Sequence, residues 1–317
     1  MSLLRVGVIG AGHLGYHHAR IYHAMEGAAL AGVADIASAA RDRAAQDFGV
    51  PVFECFEDLL SAGVDAVSIV TPTMTHAPLT LACFESGAHV LVEKPIAPTL
   101  PEAEAMVEAA DHSGRVLQVG HIERFNGAVM ALFNASLRPM FIECHRLSPF
   151  PGRNCDVSVV LDLMIHDLDL VLKMADSEIV QLDASGVPVF SEQEDIANAR
   201  IRFASGCVAN LTSSRVSMES MRKIRIFDPE AYVSTNYSAQ EVQVYRKKPG
   251  PLPRSGNPME HITVTSLPVR KEEPLKLELE AFLEAVRSNK RPEVSGEDGL
   301  RALEVSWRVL NAIRETR

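Results

Sequence analysis

The sequence predicts an α/β protein of two domains: a doubly wound parallel sheet over residues 1–120, then an α/β domain of mostly antiparallel strands over 121–317. Three observations carry this. An apolar run, Val6 to Ile9, enters Gly10-Ala11-Gly12-His13-Leu14-Gly15 and is followed by a helical pattern. Strand and helix patterns then alternate to about residue 120. From about Glu178, short alternating strands follow one another at hairpin-like spacing, separated by turn signals such as Ala204-Ser205-Gly206 and Asp228-Pro229-Glu230.

At 317 residues the prior is two domains, and 47% apolar residues suit a sizeable core. A net charge of −10 argues against nucleic-acid partners and anionic membrane surfaces, but leaves room for a locally basic pocket. The five cysteines are scattered without C-x-x-C, which suggests free thiols and no metal site. The N-terminal stretch lacks the charged and apolar regions of a leader, and no apolar run approaches a membrane span. A soluble, cytoplasmic protein is the expectation.

The glycine motif has a mechanical reading. Gly10 permits a tight turn, Gly12 lets backbone approach a pyrophosphate, and Gly15 lets the helix pack close to the strand. His13 and Leu14 open that helix, whose unpaired N–H groups suit an anion. The second strand, Ala29 to Ala34, ends in Asp35, about 20 residues past the last glycine, where an acid accepts the ribose hydroxyls of a dinucleotide. An acid there repels a 2′-phosphate, and no arginine follows it immediately, so NAD is expected rather than NADP.

The remaining elements of the first half are read in order. Helices are expected over 37–48, 56–62, 75–86 and 101–112. Strands are expected over 50–53, 65–70, 88–92 and 115–119. Thr71-Pro72 and Glu93-Lys94-Pro95 fall at strand ends, on the edge where such sheets bind ligands. Lys94 is suited to a substrate hydroxyl. A strand that simply ends at the surface in a charged pair fits equally well. His76 is placed to touch the nicotinamide end, although a capping or surface histidine also fits.

In the second half, His121 to Leu137 reads as one helix, with Arg124 and Asn126 projecting toward a cleft. Arg153, in a Pro/Gly loop, is a candidate for phosphate or carboxylate recognition, or a solvated arginine. Leu161, Ile165, Leu168 and Leu172 mark a buried helix face, and Asp162 and His166, spaced i and i+4, stand together on one face a turn apart. A carboxylate and an imidazole one turn apart suit acid–base work; an internal Asp–His hydrogen bond fits too. Lys247 to Pro258 reads as a long exposed loop. Two amphipathic helices, 274–288 and 296–314, close the chain.

Gly10 to Gly15, Asp35, Thr71-Pro72…His76 and Glu93-Lys94-Pro95 together resemble the Gfo/Idh/MocA family of glucose–fructose oxidoreductases and inositol dehydrogenases. Gln118-Val119-Gly120…Arg124 resembles its Q-x-G-x-x-x-R pattern. The resemblance implies a Rossmann domain, an NAD(P)-dependent oxidoreductase acting on sugars or cyclitols, and a large open second sheet whose exposed face builds homodimers or homotetramers. It implies Lys94, Asp162 and His166 as the catalytic set. It also implies Gly10, Gly12, His13, Leu14, Gly15, Asp35, Thr71, Pro72, His76, Glu93 and Lys94 around the cofactor. Substrate would meet Lys94, Arg124, Asn126, Arg153, Asp162 and His166. One departure is Met164, where many members have glycine. Taken with Val160 to His166 and His121 to Asn126, the chain resembles a nucleotide-sugar subgroup that oxidises C3 of UDP-N-acetylglucosamine for a downstream aminotransferase. A free hexose or inositol is the alternative substrate, and a non-catalytic NAD-binding sensor the alternative class.

Overall fold

The computed structural model describes residues 3–150, 152, 156–248 and 258–315. The first half alternates as its pattern requires: β1 (Leu4–Ile9), α1 (His13–Ala24), β2 (Ala28–Ala34), α2 (Ser38–Phe48), β3 (Val52–Phe53), α3 (Phe56–Ser61), β4 (Ala66–Ile69), α4 (His76–Glu85), β5 (His89–Glu93), α5 (Leu100–Ser113) and β6 (Leu117–Gly120). The strands form one sheet in the order β3-β2-β1-β4-β5-β6, and every pairing is parallel. Short apolar strands buried on both faces require helices on both sides, which the alternation supplies. The order reverses at β1, so the carboxyl ends of β1 and β4 flank the switch point where such sheets bind ligands.

The second half contains α6 (Gly127–Phe133), β7 (Phe141–Leu147), α7 (Ile165–Ala175), β8 (Ile179–Val187), β9 (Ile196–Phe203), β10 (Val208–Ser214), β11 (Met221–Phe227), β12 (Ala231–Asn236), β13 (Glu241–Lys247), β14 (Ile262–Ser266), α8 (Pro274–Ser288) and α9 (Gly296–Glu315). Its eight strands run β14-β13-β12-β11-β7-β10-β9-β8, antiparallel except where β7 pairs with β10. Residues alternate between faces: Ala197, Ala199, Ile201 and Phe203 of β9 enter one core with Leu168 and Leu172 of α7 and Val309 and Ile313 of α9.

Two expectations are amended. The chain divides into 1–122 with 273–303, and 123–272 with 304–317, so the first domain is discontinuous. The cause is α8, whose Leu275, Leu279 and Phe282 are buried with Val6, Val8 and Leu91 of the parallel sheet. Burying side chains of this size is worth roughly 1.5–3 kcal/mol each. Nor is 121–137 one helix: a 3-10 turn at Ile122–Phe125 stops before Asn126, whose side chain accepts the Ala128 N–H at 3.1 Å and starts α6 afresh. Residues 249–257 of the anticipated loop lie outside the described residues.

Candidate active site

The glycine loop shows why each glycine is needed. Gly10 has φ +89°, and a Cβ there would lie 2.5 Å from the Val70 carbonyl oxygen. A Cβ on Gly15 would stand 1.8 Å from the Gly10 carbonyl oxygen, so α1 packs on the loop only without a side chain. A Cβ on Gly12 would meet nothing within 4 Å. That open face lies at the start of α1, where no side chain caps the helix, so its N–H groups are available to a pyrophosphate. The residues present therefore fit a dinucleotide. His13 and Leu14 follow as exposed residues of the first turn.

Asp35 closes the loop from the second strand. One carboxylate oxygen accepts the Ala11 N–H at 2.6 Å, the other the Ala37 N–H at 2.7 Å. Each oxygen retains a lone pair for a ribose hydroxyl. Two arginines of α2 were missed in the sequence. Arg41 donates to the Asp35 carbonyl at 2.7 Å, while Arg43 lies 4.1 Å over the Tyr16 ring and donates to the Ala11 carbonyl at 3.3 Å. Their spacing after Asp35, on one helix, was the available signal.

Thr71 accepts a hydrogen bond from the Thr75 hydroxyl at 2.7 Å, and the same hydroxyl donates to the Pro72 carbonyl. His76 departs from its anticipated cofactor contact. It is 1% exposed, and its two ring nitrogens lie 2.9 Å from the carbonyl oxygens of Thr71 and Pro95. Burial lowers its pKa in spite of those carbonyls. The ring ties the loop after β4 to the turn after β5.

Glu93 ends β5 nearly buried, at 8% exposure. Its Oε2 accepts the Lys94 N–H at 3.2 Å, and its Oε1 lies 3.3 Å from Nε2 of His18, an ion-pair distance without the alignment of a hydrogen bond. A Cβ on Gly120 beside it would stand 2.9 Å from the carboxylate, which would have to move aside. Lys94 is half-buried and joined to Pro95 by a cis peptide bond. Thus Gly10, Asp35, Thr71, Pro72, Glu93 and Lys94 share the carboxyl edge of one sheet.

Beneath that edge lies Glu278 of α8, fully buried, with neither carboxylate oxygen hydrogen-bonded among the described residues. Burial, and then the charge of Glu93, pushes its carboxyl well above the usual range. A raised carboxyl pKa favours the fold at low pH, and stability is lost as pH climbs from the ordinary carboxyl range toward the raised value. Glu278→Gln is therefore expected to melt above the wild type near about pH 8, the difference closing toward about pH 4–5. Thermal melts at both ends check it.

In the second domain, α7 does not begin as an ordinary helix. Val160–Met164 forms a π-turn, in which the Ile165 N–H reaches the Val160 carbonyl. Ser158 starts it by accepting the Val160 N–H at 3.2 Å. Such turns often mark functional positions. This one carries Asp162 and passes directly to His166; both are half-buried.

Two buried arginines hold the following turn. Arg146 of β7 meets Asp167 with two hydrogen bonds, at 2.9 and 3.0 Å, and reaches Glu123 at 2.9 Å. Arg124 meets Asp169 in the same two-pronged way, at 2.7 and 2.5 Å. Arg124 is 5% exposed, so its fork serves α7 rather than projecting outward as anticipated. Asn126 likewise turns inward, capping α6 and donating to the Tyr237 carbonyl at 3.3 Å. Arg153 lies outside the described residues.

Residues 4–121 match the family described as an oxidoreductase family with an NAD-binding Rossmann fold, and 139–233 match the GFO/IDH/MocA C-terminal domain. The chain is 37% identical to the UDP-N-acetylglucosamine 3-dehydrogenase of Acidithiobacillus ferrooxidans, over 99% of this chain and 98% of the relative. A solved structure of that enzyme superposes with a TM-score of 0.91 at 35% identity, covering 99% and 98% of the two chains. The scyllo-inositol 2-dehydrogenase (NAD(+)) of Bacillus subtilis is 28% identical over 98% of this chain and 94% of its own. With the glycine loop, the Asp35 clamp and the Glu93-Lys94 edge built as described, the chain belongs to the Gfo/Idh/MocA family of NAD-dependent oxidoreductases.

Proposed function

We propose that the protein oxidises the C3 hydroxyl of UDP-N-acetylglucosamine to a 3-keto sugar. The supporting observation is the full-length likeness to a UDP-N-acetylglucosamine 3-dehydrogenase, which spans both domains. NAD, when bound, supplies the hydride acceptor. His166 takes the hydroxyl proton, as an imidazole is suited to do near neutral pH. Lys94 donates to the same oxygen and stabilises the negative charge that develops as hydride leaves. Asp162, carried on the π-turn, orients the sugar or the imidazole. Arg153 is the proposed contact to the diphosphate.

The test is NADH formation by purified protein with NAD and UDP-N-acetylglucosamine, beside myo-inositol and glucose, with a ketone trap or a coupled aminotransferase to pull the equilibrium. Turnover with the nucleotide sugar alone is expected. Turnover only with a free polyol would overturn the substrate while keeping the family.

We also read the protein as a cytoplasmic homodimer or homotetramer that passes its ketone to an aminotransferase. No helix among the described residues is long and apolar enough to cross a membrane. The second sheet carries an aromatic row, one ring per strand: Phe141, Phe227, Tyr232 and Tyr245, with centroids 5.8, 5.0 and 5.1 Å apart in turn. Such a row suits a self-complementary interface.

A further inference from the structure

Arg215 is the largest fully buried side chain among the described residues, at 1% exposure, and the chemistry above has no use for it. It stands directly after β10. Its Nε donates to the Asp195 carboxylate at 2.7 Å, one terminal nitrogen to the Val157 carbonyl at 2.6 Å and the other to the Ser191 hydroxyl at 3.0 Å. Asp195, itself fully buried, directly precedes β9. Its second oxygen accepts the N–H groups of Val189, Phe190 and Ser191 at 2.8, 2.7 and 2.8 Å. The loop from β8 to β9 is thus wound around one carboxylate. Apolar replacement of a buried ion pair is often neutral for stability. What a guanidinium adds is a rigid fork that holds several acceptors in fixed directions.

The third acceptor, Val157, belongs to neither strand nor loop of that hub. It lies on the connection from β7 to the π-turn, residues 148–159. The β8–β9 loop meets this connection at both ends. Near the first, the Phe150 ring packs edge-on against Phe190, with centroids 5.2 Å apart. At the second, Arg215 holds the Val157 carbonyl, and the Glu194 carbonyl accepts the Val159 N–H at 2.9 Å. Ser158 is therefore pinned on either side. Its hydroxyl accepts the Val160 N–H at 3.2 Å, and its carbonyl accepts the N–H groups of Leu161 and Asp162, both at 3.1 Å. A helical turn inherits its register from where its first residue is fixed. A start one residue later would swing Asp162 about 100° around the axis.

We propose that Arg215, braced by Asp195, is a positioning residue: its fork fixes Val157, and through Ser158 it sets the register of the π-turn and so the directions of Asp162 and His166. Lysine cannot replace it. An ammonium group can meet the Asp195 carboxylate, but it has no planar fork to span Asp195, Ser191 and Val157 together. The inference rests on reading Asp162 and His166 as the pair that meets the sugar.

Arg215→Lys in the full chain tests this by amide hydrogen exchange and steady-state kinetics. The variant is expected to melt close to the wild type, because the ion pair survives. Amides of residues 158–165 should exchange faster while those of β9 and β10 do not. With the sugar the wild type oxidises, kcat should fall by about tenfold to a hundredfold, the scale of a reacting group displaced by about 1 Å. NAD affinity should be unchanged. Unaltered exchange over 158–165 overturns the proposal, as does faster exchange with undiminished kcat. Faster exchange spread evenly over the second domain, with turnover tracking the folded fraction, assigns Arg215 to stability alone and overturns it too. If the variant does not fold, the wild type still decides: its amides over 158–165 should exchange as slowly as those of β9 and β10, and exchange as fast as in the exposed turn Ala204–Gly206 overturns the tether. A wild type that oxidises no sugar removes the function proposed above, while the exchange comparison, which needs no substrate, stands or falls alone.

Discussion

Lys94→Ala is expected to lower kcat by about a thousandfold or more while leaving NAD affinity unchanged, because in the proposed mechanism the lysine acts on charge that develops only in the transition state. On the proposed reading the cofactor is held elsewhere on the same edge, by the Gly10–Gly15 loop, the bare start of α1 and Asp35, whose carboxylate accepts the Ala11 N–H. Removing one ammonium group does not disturb those contacts. His166→Ala should behave alike, since the hydroxyl proton then has no imidazole to receive it; general base catalysis is worth about 10²–10⁴-fold. Lys94→Arg is the sharper variant. Arginine keeps the positive charge but presents a planar fork in place of a compact point charge, so little recovery is expected. Steady-state turnover with the nucleotide sugar, beside NAD titration of the same preparations, separates the two effects. Near-normal turnover in both alanine variants would remove these residues from the chemistry.

Much of this edge is legible in the amino-acid sequence. The glycine loop and Asp35 are local: a strand, a turn and a helix N-terminus within 35 residues, each with a stated steric or electrostatic demand. The strands of the second domain are legible too, because period-two alternation and turn residues are local signals. The features that escape are long-range. Arg124 reads as a cleft arginine because nothing nearby marks Asp169, 45 residues later, as its bidentate partner. The docking of α8 on the first sheet depends on a return across some 150 residues, which periodicity does not encode. His18 and Glu278 do leave a trace. Each stands at a buried helical position, beside Gly15 and Tyr22 or between Leu275 and Phe282, where an apolar side chain is the norm. The π-turn at Asp162 leaves none, since its apolar spacing also fits an ordinary helix.

Arg146→Met should be the most destabilising single change in the second domain. The guanidinium is 4% exposed, makes two hydrogen bonds to Asp167 and one to Glu123, and lies 5.7 Å from the centre of the Tyr237 ring. Removing it leaves two carboxylates in the interior, with Arg222 4.0 Å from Glu123. Breaking one side of a buried pair costs about 3–5 kcal/mol. At about 2–4 °C per kcal/mol for domains of this size, Tm should fall by roughly 10 °C. The penalty has a sign with pH. Burial already raises Asp167 above the usual carboxylate range in spite of Arg146, and without the arginine it rises further. A raised carboxyl pKa stabilises the fold at low pH and loses that stabilisation as pH climbs, so the gap from wild type should widen from about pH 5 to about pH 8. Replacing the partners together, Arg146→Met with Asp167→Leu, should recover part of the loss, because one stranded charge goes with its partner. Thermal melts of both variants across that range test the account, and a single variant that melts like the wild type would refute it. Because Asp167 follows His166 directly, kcat below the melt should fall in Arg146→Met while NAD binding, a property of the first domain, is kept.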